Sequence, residues 1–347
     1  METLNAAVVG AGYWGPNLAR NFRSHPAWRL DAVCDLDAGR AAAVAGPQTD
    51  VHIETSFERL LARPGLDAVA IATPAATHAR LALAALEAGK HVLVEKPIAS
   101  SVAEGEAMVA AADSAGLVLM VDHTFCYTQA VAYLRTAIAD GVVGDLLYVD
   151  SSRINLGLIS PDVNVVWDLA PHDLAILDHI LPEGLTPASV QAVGADPLGT
   201  GKACIAHVAL PLPGGAMAHI DVNWLAPSKI RRFVIGGTRR MIVWDDMNPV
   251  MRVQVHDRGV DVAYQPDDPA AEARLRIAYR SGDILVPALP EREALASMVG
   301  EFAAAISEGR PAATDGRAGV RVLRVLAAVD EAMATGRSVP VAEKALR

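Results

Sequence analysis

Short apolar runs alternate with amphipathic stretches along the first third of the chain. Continuous apolar runs of strand length predict strands that are buried on both faces. Capping patterns at Thr55–Glu58 and Ser101–Glu104, together with the glycines Gly89 and Gly116, are typical of helix starts and ends. The alternation predicts a doubly wound parallel sheet. The apolar runs are Ala6–Val9, Leu30–Cys34, Ala68–Ala72, His91–Val94 and Val118–Val121.

The pattern changes after the fifth run, to one helix over Gln129–Ala139 and then strict alternation of apolar and polar residues. In Ala218–Trp224 and Met251–His256 every second residue is apolar, which predicts antiparallel strands with one buried face. Two glycine turns, Pro213–Gly215 and Asp257–Gly259, predict hairpins, and a late helix is expected from near Asp315 to Gly336, packed on either domain. The prediction is an α/β chain with a parallel-sheet domain at 1–122 and a mainly antiparallel α+β domain at 123–347.

Composition and net charge argue against several classes of function. The chain has 347 residues, a formal net charge of −10 and a pI near 5.5, which argues against nucleic-acid and anionic-membrane binding. Its N-terminal apolar stretch is too short for a signal or membrane segment, so a cytoplasmic protein is expected. Cys34, Cys126 and Cys204 lack metal or disulfide spacing, and Asp173, Asp178 and His179 form no complete ligand set, so no metal is predicted.

Gly10, Gly12 and Gly15 have the G-x-G-x-x-G spacing between the first apolar run and a helix start. Such a turn seats a dinucleotide pyrophosphate, although a glycine turn without a ligand has the same pattern. Asp35 ends the second run at the distance expected for a ribose-binding carboxylate. Its charge repels the extra phosphate of NADP, which favours NAD, and Arg40 weakens that preference if it turns back.

Three further elements give the chain a family resemblance: Ala72–His78, Gly89–Pro97 with its Glu-Lys-Pro, and the Asp-x-x-x-His of Asp168–His172. With the glycine turn, they resemble the Gfo/Idh/MocA oxidoreductases over nearly the whole chain. The resemblance implies a Rossmann domain followed by an open-faced sheet domain, NAD(P)-dependent oxidation or reduction of a sugar-like substrate, and a homodimer or homotetramer formed through the sheet. The other expected cofactor contacts are Tyr13, Trp14, Thr73, Pro74, His78, Glu95 and Lys96. His78 is equally compatible with a solvent-facing helix position.

Lys96 follows a buried strand, where its ammonium could polarise a substrate oxygen; a surface lysine is the alternative. In the family the Lys-Pro peptide is often cis, which predicts a cis Lys96–Pro97 bond. Asp168 is expected to cap a helix with Pro171 in its first turn, and His172, on the same face, to be the general base kept neutral by the helix dipole. A capping aspartate with a packed histidine is the alternative.

Substrate contacts are predicted from the segments that flank Asp168–His172. Arg153, Asn155 and Asn164 could bind sugar or carboxylate oxygens, and Lys229 and Arg232 could bind a pyrophosphate. Neighbouring strand residues point oppositely, so at most one of Arg231 and Arg232 is expected to face the site; an ordinary basic strand edge is the alternative. These segments are similar to the nucleotide-sugar branch, which includes UDP-N-acetyl-hexosaminuronate 3-dehydrogenases, and the alanine-rich composition suggests antibiotic sugars. An NAD-dependent glycoside hydrolase and a non-catalytic NAD-binding regulator stay open.

Overall fold

The computed structural model describes residues 3–47, 50–157, 159, 162–263 and 276–341. They divide into two compact units, one of Met1–Gln129 with Glu291–Ala327 and one of Ala130–Pro290 with Ala328–Glu343. The predicted limits of 1–122 and 123–347 differ from this division in the C-terminal helices.

The first unit contains a parallel sheet of six described strands in the order β3-β2-β1-β4-β5-β6. Its central strands β1, β4 and β5 are almost wholly apolar and buried, as parallel strands covered on both faces must be. This is the Rossmann strand order, which confirms the predicted fold class. The strands are β1 (Leu4–Val9), β2 (Trp28–Cys34), β3 (His52–Glu54), β4 (Ala68–Ile71), β5 (His91–Glu95) and β6 (Leu119–Asp122).

Five helices connect these strands, and local capping explains where several of them begin. Asp37, Ser56 and Ser101 each accept backbone N–H bonds at a helix start, so the cap of the third helix is Ser56 and not Thr55. Gly116 ends the fifth helix in the left-handed conformation, at φ +65°. The helices are α1 (Gly15–Ser24), α2 (Ala38–Ala45), α3 (Phe57–Leu61), α4 (His78–Glu87) and α5 (Val102–Ala115).

The second unit contains a sheet of nine described strands in the order β14-β13-β12-β11-β7-β10-β9-β8-β15, antiparallel except for β7 beside β10. Alternate residues of β10 are buried, as the sequence pattern predicted. Its helices are α6 (Gln129–Ala139) and α7 (Val165–Ile180). The strands are β7 (Leu146–Leu156), β8 (Ser189–Ala195), β9 (Ile205–Pro211), β10 (Met217–Asn223), β11 (Leu225–Gly237), β12 (Met241–Asp245), β13 (Val253–Ala263), β14 (Arg276–Leu285) and β15 (Val339–Pro340).

One of the two predicted hairpins of this sheet is wrong. Pro213–Gly215 does connect the antiparallel strands β9 and β10. Asp257–Gly259, however, lies inside β13, whose pairing with β14 continues through a register shift between His256 and Arg258. A Cβ on Gly259 would lie 2.8 Å from the Arg280 guanidinium, so this side chain passes close over the strand.

The C-terminal helices α8 (Ala294–Glu308) and α9 (Gly316–Thr335) explain why residues far along the chain belong to the first unit. Trp28 of β2 donates its indole N–H to the carbonyl oxygen of Val299 over 2.7 Å and stacks on Phe302. In α9, Val320 and Leu323 pack so closely on Gly105 of α5 that a Cβ there would lie 3.1 Å from each. The burial of these apolar side chains ties α8 to the Rossmann sheet and the part of α9 before Ala328 to α5.

Candidate active site

The glycine turn joins β1 to α1 and each glycine has its own steric reason. Gly10 has φ +98°, and a Cβ there would lie 2.5 Å from the Ala72 carbonyl oxygen. A Cβ on Gly15 would collide with the carbonyl oxygen of Gly10, so α1 packs directly against the turn. Around Gly12 a Cβ would meet no atom within 4 Å, which leaves open space in front of the loop backbone. Gly10 and Gly15 shape the turn, and Gly12 leaves room for a ligand.

The start of α1 is suited to an anion. No side chain caps this end, Pro16 lies in the first turn, and the first turn contains no acidic residue. Helix amides and the positive end of the helix dipole therefore face the open side of the turn. Beside them, Tyr13 is 93% exposed and stacks on Trp14, whose indole N–H donates to Asp122 over 2.8 Å.

Asp35 lies just past β2 and is tied to the glycine turn. Its Oδ2 accepts the backbone N–H of Ala11 over 2.8 Å, and its Oδ1 accepts the N–H of Asp37 over 2.9 Å. The exposed Arg40 guanidinium lies 3.8 Å from Asp35 and 3.4 Å from Asp37. The carboxylate is thus held at the edge of the sheet where a dinucleotide ribose would lie, with Arg40 at its outer side.

His78 is neither solvent-facing nor free to reach a cofactor. It is 1% exposed, and its Nδ1 and Nε2 lie 2.8 Å from the carbonyl oxygens of Pro97 and Thr73. Burial lowers the pKa of His78 below its usual value despite these two oxygens. The ring therefore joins the turn after β4 to the turn after β5, where Thr73, Pro74 and Lys96 lie.

The Glu-Lys-Pro turn follows β5, and its Lys96–Pro97 peptide is cis, as predicted. Lys96 is half-buried. Glu95 accepts the Lys96 backbone N–H over 3.2 Å and lies beside Asp122 at the end of β6. Sequence reasoning missed Asp122. The signal was an acidic residue directly after a buried strand, at the same sheet edge as the other candidates.

In the second unit, α7 begins earlier than predicted. Asn164 is the N-cap, since its Oδ1 accepts the N–H groups of Val166 and Trp167 at 3.0 and 3.2 Å. Asp168 is therefore not the cap, and Pro171 lies inside the helix and not in its first turn. Asp168 and His172 still share one helix face and are both half-buried. His172 stands two turns from the N-terminus, so the dipole argument for its neutrality is wrong, because that effect fades within one turn.

Two tryptophans fix the first turns of α7. The Trp224 indole N–H donates to Asp168 Oδ2 over 2.9 Å, and that of Trp167 donates to Asp330 over 2.6 Å. Asn164 also donates to Asp330, over 2.9 Å. The predicted substrate contact Asn164 thus has its whole amide group engaged in holding the helix, which gives a substrate role no support.

Arg153, another predicted substrate contact, is buried in an ion pair. Its guanidinium is 4% exposed and donates to both carboxylate oxygens of Asp173 over 2.8 to 3.0 Å. Burial raises the pKa of Asp173, and Arg153 counteracts this. Because Asp173 follows His172 in α7, the pair fixes the helix to β7; it leaves little of Arg153 for a ligand.

Of the two neighbouring arginines of β11, the structure places Arg231 and not Arg232 on the α7 side of the sheet. Arg231 lies opposite Arg153 in the antiparallel register and Arg232 opposite Ser152, and residues directly opposite share a face. Arg231 also lies 3.4 Å from Asp246. Asn155 is half-buried and shares the Arg153 face, whereas Lys229 is exposed where the β11 register shifts.

The described residues give little support for a metal site or for a membrane-spanning helix. Within them, no group of three or more metal-ligating side chains is arranged for an ion. The residues considered for a metal have other partners: Asp178 accepts the Leu185 backbone N–H over 2.8 Å and Asp173 pairs with Arg153. No helix in the described ranges has both the length and the apolar character to cross a bilayer.

Comparison with known proteins agrees with this geometry. Residues 4–123 match the NAD-binding Rossmann domain of an oxidoreductase family, and residues 131–243 match the GFO/IDH/MocA C-terminal domain. The chain belongs to the Gfo/Idh/MocA oxidoreductase family. Within this family it is 32% identical over 326 residues to UDP-N-acetylglucosamine 3-dehydrogenase of Acidithiobacillus ferrooxidans, covering 93% of this chain and 95% of that relative.

Solved structures of the Gfo/Idh/MocA family show the same fold. That of the A. ferrooxidans enzyme has a TM-score of 0.80 at 29% identity and covers 97% of this chain and 100% of that one. GenD2 from gentamicin A biosynthesis, solved in complex with NAD, has a TM-score of 0.80 at 25% identity over 99% of this chain and 97% of its own. The open backbone at Gly12, the uncapped α1 and Asp35 fit the NAD that this family binds.

Proposed function

We propose that this protein is an NAD-dependent dehydrogenase that oxidises a secondary hydroxyl group, at C3, of a nucleotide-linked sugar. The observation that carries the proposal is the face of α7, where Asp168 is fixed by the Trp224 indole one helical turn before His172. A regulator that only binds NAD has no need of an oriented carboxylate and imidazole. The substrate class is supported by the 32% identity to a UDP-N-acetylglucosamine 3-dehydrogenase.

The proposed reaction converts a sugar CH–OH and NAD⁺ into a ketone, NADH and a proton. NAD accepts the hydride when it is bound. His172 accepts the hydroxyl proton, and the Lys96 ammonium stabilises the negative charge that develops on the oxygen. Asp168 orients the reacting groups on its side of the helix. In the reverse direction the same side chains donate the proton.

Substrate recognition in this proposal uses the α7 side of the second sheet. Asn155 offers an amide to sugar oxygens, and Arg231 offers a guanidinium to a diphosphate or carboxylate. Arg153 acts through Asp173, and Asn164 through the start of α7, as positioning residues. Arg232 lies on the opposite face and is not included.

The purified protein, incubated with NAD and a panel of UDP-sugars, tests the proposal. Net NADH formation with a UDP-N-acetylhexosamine or its uronic acid, absent with 3-deoxy analogues, is the expected result. His172→Gln and Lys96→Met should each lower turnover at least about 100-fold, the usual contribution of a proton-transferring group. His179→Gln, on the same helix, is the matched control. Near-native turnover in both active-site variants would disprove the assignment.

The panel also separates the other candidate activities. Aminoglycosides are included because of the 25% identity to GenD2 over 99% of the chain, which supports an antibiotic sugar as a second substrate class. Aryl glycosides report a hydrolase, which releases the aglycone without net NADH. NAD binding without turnover of any sugar would favour a regulator.

We further propose a homodimer or homotetramer formed through the open face of the second sheet. Val193 and Met217 are 64% and 42% exposed on this face, and His219 pairs with Asp150 across the strands at 3.0 Å. Val193→Glu should lower the mass measured by light scattering, whereas Val250→Glu, at an exposed turn, should not. The three buried free thiols fit a reducing, cytoplasmic setting.

A further inference from the structure

Two acidic residues end adjacent strands of the Rossmann sheet. Glu95 of β5 and Asp122 of β6 are directly paired in the parallel register. Asp122 is 2% exposed, and Oε1 of Glu95 is shielded from solvent. Two ionised carboxylates shielded from water in this way would repel each other strongly, because buried surroundings screen charge poorly.

The hydrogen bonds around the two carboxyl groups differ. Asp122 accepts the Trp14 indole N–H at Oδ2 over 2.8 Å and the Thr124 hydroxyl at Oδ1. Glu95 accepts only the Lys96 backbone N–H, at Oε2 over 3.2 Å, and no described donor reaches its Oε1. An ionised carboxylate only accepts, whereas a protonated one can also donate. A proton on Glu95 Oε1 directed at Asp122 gives this buried oxygen a partner.

The charged surroundings favour the same arrangement. Burial, followed by the charge of Asp122, raises the pKa of Glu95 well above its usual value, and the Lys96 ammonium opposes this less strongly. On the other side of β5, β4 is apolar throughout. In α4, both ring nitrogens of His78 lie against carbonyl oxygens, those of Thr73 and Pro97.

We propose that Glu95 and Asp122 share one proton, with Glu95 as the donor, and that this proton holds the Trp14 end of the glycine turn and the Lys96 turn in the arrangement that binds NAD. Removal of the proton leaves two adjacent carboxylates, which pushes the two strand ends apart. Glu95 is a positioning residue here, and the shared proton sets an alkaline limit to NAD binding.

Stability measured against pH tests the shared proton. Above the ordinary glutamate pKa of 4.5, folded protein keeps a proton on Glu95 that unfolded chain has lost, so wild-type stability falls as pH rises until the folded pKa is reached. Glu95→Gln donates its amide N–H at every pH. The folding equilibrium of Glu95→Gln should therefore improve relative to wild type by up to about tenfold per pH unit across this window.

Glu54→Gln is a matched control, because the effect of its carboxylate on stability should depend on pH in the opposite direction. Glu54 ends β3, and the Arg59 guanidinium with two backbone N–H groups lowers its pKa to about 2. The ionised Glu54 carboxylate therefore stabilises the folded protein above the ordinary glutamate pKa of 4.5, and this stabilisation is lost as the pH falls to about 2. Glu54→Gln should thus be less stable than wild type at neutral pH and equally stable in acid.

Infrared difference spectra and NAD titrations complete the test. At neutral pH a protonated-carboxyl band should disappear in Glu95→Gln, which has no carboxyl group at this position. Calorimetry should show wild-type NAD affinity falling at alkaline pH and no such fall in Glu95→Gln. A neutral-pH spectrum without that band, or parallel stability profiles for wild type and Glu95→Gln, would overturn the proposal. So would an alkaline loss of affinity that persists in Glu95→Gln.

Discussion

The indole N–H of Trp224 donates to Asp168 Oδ2 over 2.9 Å, which joins the end of β10 to the first turn of α7. Trp224 is 1% exposed, its backbone N–H donates to Cys204, and its carbonyl oxygen accepts the Gly157 N–H. The ring is therefore a rigid donor, and it fixes the Asp168 carboxylate on the helix face that presents His172.

Trp224→Phe removes this donor and also leaves a smaller ring at a buried position, so the free energy of unfolding is measured together with kcat. A hydrogen bond to a charged group contributes about 1.5–3 kcal/mol, so kcat should fall roughly 10- to 100-fold. The KM for NAD should not change, because Trp224 lies in the second unit. In an Asp168→Asn background the Trp224→Phe effect should shrink, since the two residues act through one bond.

Trp167→Phe is the control for that measurement. It removes an indole bond of 2.6 Å to Asp330 in the same region of α7 without touching Asp168. It should lower the free energy of unfolding by about 1–3 kcal/mol and change kcat less than Trp224→Phe. Equal kcat losses in both variants would show that Trp224 acts only on stability.

Alanine substitutions in the glycine turn should separate folding from NAD binding. Gly10→Ala and Gly15→Ala meet backbone carbonyl oxygens and should lower the free energy of unfolding by about 1–3 kcal/mol or more. Gly12→Ala meets nothing within 4 Å, so stability should stay within about 0.5 kcal/mol of wild type while NAD affinity falls at least about tenfold. Thermal unfolding and calorimetric titration give both quantities; unchanged NAD affinity in Gly12→Ala would contradict the placement of the pyrophosphate.

Arg153 is expected to act on stability and not on substrate contact. Arg153→Leu leaves Asp173 buried without its guanidinium and should lower the free energy of unfolding by about 3–5 kcal/mol. Arg153→Leu combined with Asp173→Leu should recover much of this loss in urea unfolding. A substrate-binding role would instead appear as a raised KM for the sugar in a variant of normal stability.

Asp35 is expected to set the choice between NAD and NADP. Asp35→Ser removes the charge that repels a ribose phosphate, and Arg40 lies 3.8 Å from that position. The ratio of kcat/KM for NADP to that for NAD should rise roughly 10- to 100-fold. Asp37→Ser, which retains a helix-capping oxygen, should leave the ratio unchanged; an equal rise there would refute the assignment to Asp35.

Much of the fold was predictable because local pattern and tertiary structure agree. Continuous apolar runs became parallel strands, and the alternation at Ala218–Trp224 became a strand with one buried face. The start of α7 was missed because Pro171 suggested a first turn. Inside the helix, Pro171 removes one backbone bond, and the contacts of Asn164 and Trp167 with Asp330, far along the chain, offset that loss.

The side-chain roles depended on contacts that no local pattern contains. Alternation predicted that at most one of Arg231 and Arg232 faces the site, and only the pairing of β11 with β7 shows that Arg231 is the one on the Arg153 face. Likewise the ion pair of Arg153 with Asp173 and the contact of His78 with the Pro97 carbonyl oxygen join residues 20 and 19 positions apart. The sequence identified these residues as candidates, but it could not separate those that would contact a ligand from those that support the structure.

The central claim is hydride transfer from a sugar carbon to NAD, and deuterium labelling tests it most directly. UDP-N-acetylhexosamine deuterated at C3 is incubated with the protein and NAD, and the cofactor is analysed by mass spectrometry. The account predicts NADH that carries the deuterium and a 3-keto sugar, with both lost in His172→Gln. Unlabelled NADH, or a label that returns to the sugar while a glycosidic bond is cleaved, would contradict it.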